Sequence, residues 1–181
     1  AFRLMQQAGH IGKIILRPPH VPDDVRRSHD FALRADATYV IGGGFGGFGT
    51  ELLRRMADLG ARNLVVLSRR GGSTEDAAAV IAELSARGVK VVAPACDLTD
   101  EKSLAAALET ARTSLPPIRG VFHTAMVLND VLISNLDHDG LTRVLAPKVR
   151  GAELLDRLTA NDPLEHFVLY SSATTLVGNP G

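Results

Sequence analysis

Gly42-Gly43-Gly44-Phe45-Gly46-Gly47-Phe48-Gly49 is the segment that most restricts what this chain can become. Six glycines in eight residues suit neither a helix interior nor a strand, because each would give up backbone entropy without packing a side chain. The segment is therefore a turn. Tyr39-Val40-Ile41 precedes it and favours a strand. After it, Phe48, Leu52, Met56 and Leu59 recur at helical spacing, and Gly60 is a natural stop. Strand, glycine turn and helix thus follow one another directly.

The same alternation continues to residue 170. Leu64–Leu67, Val89–Val92 and Phe167–Tyr170 read, like Val40-Ile41, as short buried strands, and Gly120–His123 as a weaker one. Between them, Ala77, Val80, Ile81 and Leu84 form one helical face. Ser73 and Asp76 are a capping pair at its start, and Gly88 stops it. Leu104, Ala107, Leu108, Ala111 and Leu115 form another face, ended by Pro116-Pro117 with Asp100 as its cap. A last helical stretch spans about 139–159, interrupted near Pro147. Such alternation predicts a parallel sheet with helices on both faces. The first 36 residues break the rhythm. A short helix (2–7) and a strand (12–16) lead into Arg17-Pro18-Pro19-His20-Val21-Pro22, a proline-rich linker.

Composition narrows the function. Lys and Arg number 20 against 20 Asp and Glu, so no basic surface for nucleic acid is expected. No apolar run is long enough for a membrane span, and the start lacks a signal-peptide layout, so the cytoplasm is the default compartment. A single cysteine, Cys96, excludes a disulfide framework and reads as a small core residue. The histidines show no metal-ligand spacing.

A glycine turn that opens a helix after a strand is the place where a pyrophosphate can meet free backbone N–H groups at the positive end of the helix dipole. The glycines fit GxGxxG in two registers, Gly42/Gly44/Gly47 and Gly44/Gly46/Gly49, and also fit Gly43-xxx-Gly47-x-Gly49. The fold class is therefore α/β, a Rossmann-like doubly wound parallel sheet. At the end of the second strand, Leu67-Ser68-Arg69-Arg70 carries no acid to hold ribose hydroxyls. An arginine there attracts a 2′-phosphate, so NADPH is expected over NADH. Arg70 alone reads as a solvated charge. Asp97, after the third strand, can accept a hydrogen bond from an adenine amine. His123 is expected to pack beside the cofactor rather than to move protons.

Residues 39–70, Val121-Phe122-His123-Thr124-Ala125-Met126-Val127-Leu128-Asn129-Asp130 and Phe167-Val168-Leu169-Tyr170-Ser171-Ser172 together resemble the ketoreductase domain of polyketide synthases, and the related domain of animal-type fatty acid synthase. Residues 37–181 carry this resemblance, and residues 1–17 resemble the C-terminal tail of an enoylreductase, with 18–36 as linker. The resemblance implies a fold of the short-chain dehydrogenase/reductase type, incomplete at the C-terminus. It implies cofactor contacts from Gly43, Gly44, Phe45, Gly46, Gly47, Phe48, Gly49, Ser68, Arg69, Asp97, Leu98, Thr124, Ala125, Met126 and Lys148. It implies reduction of a 3-ketoacyl thioester, carried on the phosphopantetheine arm of an acyl carrier protein, with no metal. Enoylreductase and other domains of the same megasynthase are the implied partners.

In that family a lysine in Pro-Lys-Val-x-Gly lowers the pKa of a proton-donating tyrosine, and a serine ending the fifth strand holds the carbonyl oxygen. Ala146-Pro147-Lys148-Val149-Arg150-Gly151 and Ser171-Ser172 match, so Lys148 and Ser172 are the catalytic candidates. The family's tyrosine falls thirteen residues past the serine, beyond Gly181. Tyr39 and Tyr170, the tyrosines present, read as core or near-core residues. The chain alone is thus expected to bind cofactor without efficient turnover. Leu128-Asn129-Asp130 resembles the Leu-Asp-Asp signature, and Asp130 implies a D-configured (B-type) alcohol. Two other readings are a noncatalytic reductase-like scaffold of a megasynthase and a free-standing NADP-binding dehydrogenase.

Overall fold

A computed structural model of the chain describes residues 32–177. The expected enoylreductase tail and the first part of the expected linker, residues 18–31, lie outside those residues. Five strands, β1 (Thr38–Gly42), β2 (Asn63–Leu67), β3 (Lys90–Val92), β4 (Ile118–His123) and β5 (His166–Leu169), form one sheet. All pairings are parallel and the order is β3-β2-β1-β4-β5. The chain moves outward from β1 to β3 and then crosses back to β4, so the order reverses between β1 and β4. Ligands of open parallel sheets bind at the carboxyl ends of the strands at such a reversal.

Helices α1 (Gly47–Asp58), α2 (Glu75–Ala86), α3 (Glu101–Ser114), α4 (His138–Lys148), α5 (Arg150–Thr159) and α6 (Thr174–Val177) fill the connections. Side-chain alternation along each strand splits the core in two. Tyr39, Ile41, Leu64, Val66 and Phe122 face one side with Leu53 and Met56 of α1 and Val80 and Leu84 of α2. Val40, Val65, Leu67 and Val121 face the other with Leu104 and Leu108 of α3 and Leu154 and Leu155 of α5.

The expected strands are present, but their roles are redistributed. Gly120–His123, the weakest of the five in sequence, belongs to a strand beside β1 whose last four residues are buried. Gly120 is what admits it there. A Cβ at this position would sit 2.7 Å from the Tyr39 ring. Phe167–Tyr170, expected to be buried, contributes to β5, the outermost strand among the described residues: Phe167 and Leu169 are exposed while His166 and Val168 are half-buried. Lys90 of β3 is exposed at the opposite edge.

Helix ends follow local chemistry. Gly60 (φ +107°) and Gly88 (φ +74°) take left-handed conformations after α1 and α2. Asp100 caps α3 by accepting from the Lys102 and Ser103 N–H groups. For α2 the cap is Thr74, whose Oγ1 accepts from Ala77 N, and not Ser73. Ser73 donates its hydroxyl back to Arg70 O at 2.6 Å. The expected break near Pro147 falls at Val149, the junction of α4 and α5. In α1 the buried face is Gly49, Leu53, Met56 and Ala57, while Phe48, at helical spacing with Leu52 and Met56, is 65% exposed. Residues just before β1 pack onto the same unit. Leu33 is buried and donates its N–H to Leu59 O at 2.8 Å. Among the described residues, no helix is long and apolar enough to cross a membrane.

Candidate cofactor and catalytic site

The glycines divide into those the fold demands and those it leaves open. Gly43 has φ +85°, and a Cβ there would meet the Ala125 backbone at 2.6 Å. A Cβ on Gly49 would lie 2.5 Å from Gly43 O. Gly47 has no atom within 4 Å of its missing Cβ, and Gly46 only Gly43 O at 3.9 Å. The turn is fastened to β4, where Thr124 donates its N–H to Gly42 O at 2.8 Å. Its hydroxyl lies 2.9 Å from that carbonyl and 3.1 Å from Gly43 O. Thr124, a candidate cofactor contact, thus spends its hydroxyl on the loop. Helix α1 begins at Gly47 with no side-chain cap and no acid in its first turn. Its first N–H groups therefore have neither a side-chain cap nor a nearby first-turn acid, as a pyrophosphate site requires. The open side of Gly46 and Gly47 leaves the space that a dinucleotide backbone would fill.

A cleft of about 570 Å³ continues from this turn across the ends of β2 and β3. Gly43, Phe45 and Gly46 line it from the loop, and Ser68, Arg69 and Arg70 from β2. Cys96, Asp97, Leu98 and Thr99 line it from the β3 side, with Ala125 and Pro147. Arg69 and Arg70 are exposed, and neither has a carboxylate within ion-pair distance among the described residues. Asp97 Oδ1 accepts from Thr99 N at 2.9 Å and from its hydroxyl at 2.7 Å. Those bonds, the backbone one foremost, hold the Asp97 carboxyl below the usual range, with Arg69 adding to them. Cys96 is buried, and burial pushes its thiol up, which suits packing rather than reactivity.

Lys148 ends α4, and its Nζ donates to Tyr170 O at 2.9 Å. Ser172 follows two residues later, its Oγ 2.8 Å from Thr174 Oγ1 and accepting from Thr174 N at 3.2 Å. Both catalytic candidates therefore sit at the carboxyl end of β5, next to the end of β4. Phe48 and Met126 are exposed, and the Phe48 ring meets the Tyr170 ring edge-on with centroids 5.1 Å apart. Asn129 accepts weakly from Arg143 of α4 at 3.4 Å, and Asp130 is exposed. Neither tyrosine is poised as an acid. Burial, first of all, pushes both phenols up, and the Tyr39 oxygen accepts the Arg34 N–H at 2.7 Å inside the core.

One participant escapes a reading of the sequence, the Tyr170 carbonyl, which has no side-chain signature. His123, expected to pack beside the cofactor, is buried at the end of β4, and its Nε2 lies 2.7 Å from Pro147 O, a partner that no motif records.

The KR-domain family model matches residues 37–181. Highly reducing polyketide synthase 40 of Fusarium mangiferae is 38% identical, and a highly reducing polyketide synthase of Cordyceps militaris is 40% identical. Each alignment covers all of this chain, residues 1–36 included, and 7% of the relative's length. Among solved structures, the first ketoreductase of the tylosin polyketide synthase is 43% identical with TM-score 0.74, over 83% of this chain and 32% of that one. An A-type ketoreductase from a modular polyketide synthase is 36% identical with TM-score 0.77, over 91% and 34%. The chain therefore spans about a third of those ketoreductases and a small fraction of the synthases. Ketoreductases of this family are oxidoreductases that use nicotinamide cofactors, and this chain, with their parallel sheet and glycine turn, belongs to the KR-domain family of polyketide synthases.

Proposed function

We propose that this chain is the cofactor-binding part of a reducing polyketide synthase ketoreductase, serving NADPH-dependent reduction of a 3-ketoacyl thioester on an acyl carrier protein to the 3-hydroxyacyl thioester. The observation that carries the proposal is the convergence of the open glycine turn, the Arg69-Arg70 pair after an acid-free β2 end, Lys148 and Ser172 at the carboxyl ends of the strands of one sheet. Residues 1–17 are assigned to an enoylreductase tail and 18–36 to a linker. Alignment of the reducing synthases over the entire chain supports that assignment. The partners are the carrier protein and the neighbouring domains. The proposed location is the cytoplasm, where a lone reduced cysteine such as Cys96 is ordinary.

When bound, NADPH supplies the hydride. The α1 N-terminus and the open sides of Gly46 and Gly47 hold the pyrophosphate, and Arg69 neutralises the 2′-phosphate. The second oxygen of Asp97 has no protein partner among the described residues and can accept from the adenine amine. Lys148 orients the ribose and keeps a positive charge near the proton donor. The Ser172 hydroxyl donates to the carbonyl oxygen as negative charge develops there. Residues 1–181 by themselves bind cofactor without turnover, since both tyrosines are committed to packing and have raised pKa values. A fluorescence titration with NADPH tests this, followed by absorbance at 340 nm with a 3-ketoacyl thioester. Saturable binding without NADPH consumption is the expected outcome. No saturable binding would favour a noncatalytic scaffold, and steady consumption would contradict the assignment of both tyrosines.

A further inference from the structure

We propose that His123 is the positioning residue for Lys148, holding it through the Pro147 carbonyl. This rests on the catalytic reading of Lys148 given above and adds the device that fixes it. Three hydrogen bonds and one peptide linkage close a ring. His123 Nε2 lies 2.7 Å from Pro147 O, so Nε2–H donates to that carbonyl. Pro147 is bonded covalently to Lys148. Lys148 Nζ donates to Tyr170 O at 2.9 Å. Tyr170 N returns to His123 O at 3.2 Å. One residue therefore holds the lysine from two sides, at the carbonyl before it and at the strand end that accepts its ammonium.

The chain direction at this point needs such a clamp. Pro147 brings no N–H to α4, and the helix axis changes at Val149 directly afterwards. Lys148 thus sits on the last residue of a helix that is about to turn. The His123 ring is buried, and Gly151 of α5 packs on it at ordinary contact distance, 3.5 Å from its would-be Cβ to Cε1. With Nε2–H committed to the carbonyl, Nδ1 carries the lone pair, and it is buried without a partner. A Cβ on Gly42 would reach that nitrogen at 2.8 Å, so the imidazole is wedged between the glycine turn and the α4–α5 junction. Burial, foremost, pushes the imidazole down; the Pro147 bond opposes this in part and the nearby Lys148 charge adds to it, so the net shift favours the neutral ring, which presents one donor to Pro147 O. The next residue, Thr124, fastens the glycine turn. The end of β4 therefore sets the lysine and the cofactor loop in one frame.

The test compares two amides at the same site in the full chain. In H123Q the side-chain N–H₂ occupies about the place of Nε2 and can still reach Pro147 O. In H123N it stops about where Nδ1 lies and cannot. The readout is the acetylation rate of Lys148 at limiting acetic anhydride, measured by peptide mass spectrometry without cofactor, with Lys90 and Lys102 as internal references. H123N is expected to raise Lys148 labelling about three- to tenfold with the references unchanged, and H123Q to stay within about twofold of wild type. Equal Lys148 labelling in all three proteins overturns the proposal. So does an equal rise in H123Q, or a rise in H123N that Lys90 and Lys102 share, since that reports loosening of the whole fold. NADPH titration of wild type is run in parallel. Its failure would count against the cofactor reading alone, because the labelling requires no cofactor.

Discussion

The two sides of the sheet's centre line are built differently. At β1 and β2 nearly every residue is buried, and the cofactor cradle proposed there relies on backbone: the glycine turn and the helix N–H groups it opens. Toward β5 the strand alternates half-buried and exposed residues, and the catalytic candidates are flexible side chains, Lys148 and Ser172. The difference teaches where precision comes from. A backbone cradle is set by the fold and fails only when the fold is pushed. A long side chain at a helix end needs neighbours to hold it, here the Tyr170 and Pro147 carbonyls and His123.

Truncation should expose the asymmetry most strongly. Leu64 is fully buried in β2, and L64A should cost about 2–5 kcal/mol in a urea melt. Leu169 is 52% exposed in β5, and L169A should change stability by no more than about 0.5 kcal/mol. Equal costs would erase the distinction between centre and edge.

A glycine pair sharpens it next. G49A forces a Cβ against the Gly43-Gly44 backbone and should lose roughly 1–3 kcal/mol of stability together with cofactor binding. G47A meets nothing within 4 Å. It should keep the fold while weakening NADPH by about tenfold, so that thermal melting and titration disagree for this variant alone.

Charge reversal at R69E should weaken NADPH by roughly 30-fold, about 2 kcal/mol, and leave NADH little changed. The smallest effect concerns His123. Its imidazole is held below the ordinary value of 6.5, so the unfolded chain takes up the proton first. Its contribution to stability is complete above about pH 6.5 and is lost as pH falls below it, with a slope of at most about 1.4 kcal/mol per pH unit. Chemical denaturation across pH 5–8 should show that slope in wild type and a shallower one in H123Q.

The central half of the molecule was legible in the sequence because its constraints are covalent or periodic. Glycine placement announced the turn, and the spacing of Leu104, Leu108 and Ala111 announced the buried face of α3. Periodicity could not tell which strand is central. Gly120 weakens β4 as a strand former, yet it is what lets Tyr39 pack beside it. Phe167–Tyr170 is apolar enough for a core strand, but neighbours, not composition, decide exposure. The cap of α2 is one residue later than spacing suggests, because Ser73 and Thr74 offer the same hydroxyl and only the turn geometry separates them. Phe48 has helical spacing with Leu52 and Met56, but it lies in the first turn of α1, beyond the sheet, against Tyr170. The clamp on Lys148 uses main-chain carbonyls, which every residue carries and no motif records.

The ratio of NADH to NADPH dissociation constants, measured by fluorescence titration of the wild-type chain at fixed salt, tests the central claim most directly. An open glycine turn beside an acid-free, arginine-bearing β2 end predicts saturable NADPH binding and NADH at least about tenfold weaker. Equal affinities, or no saturable binding of either, would contradict it.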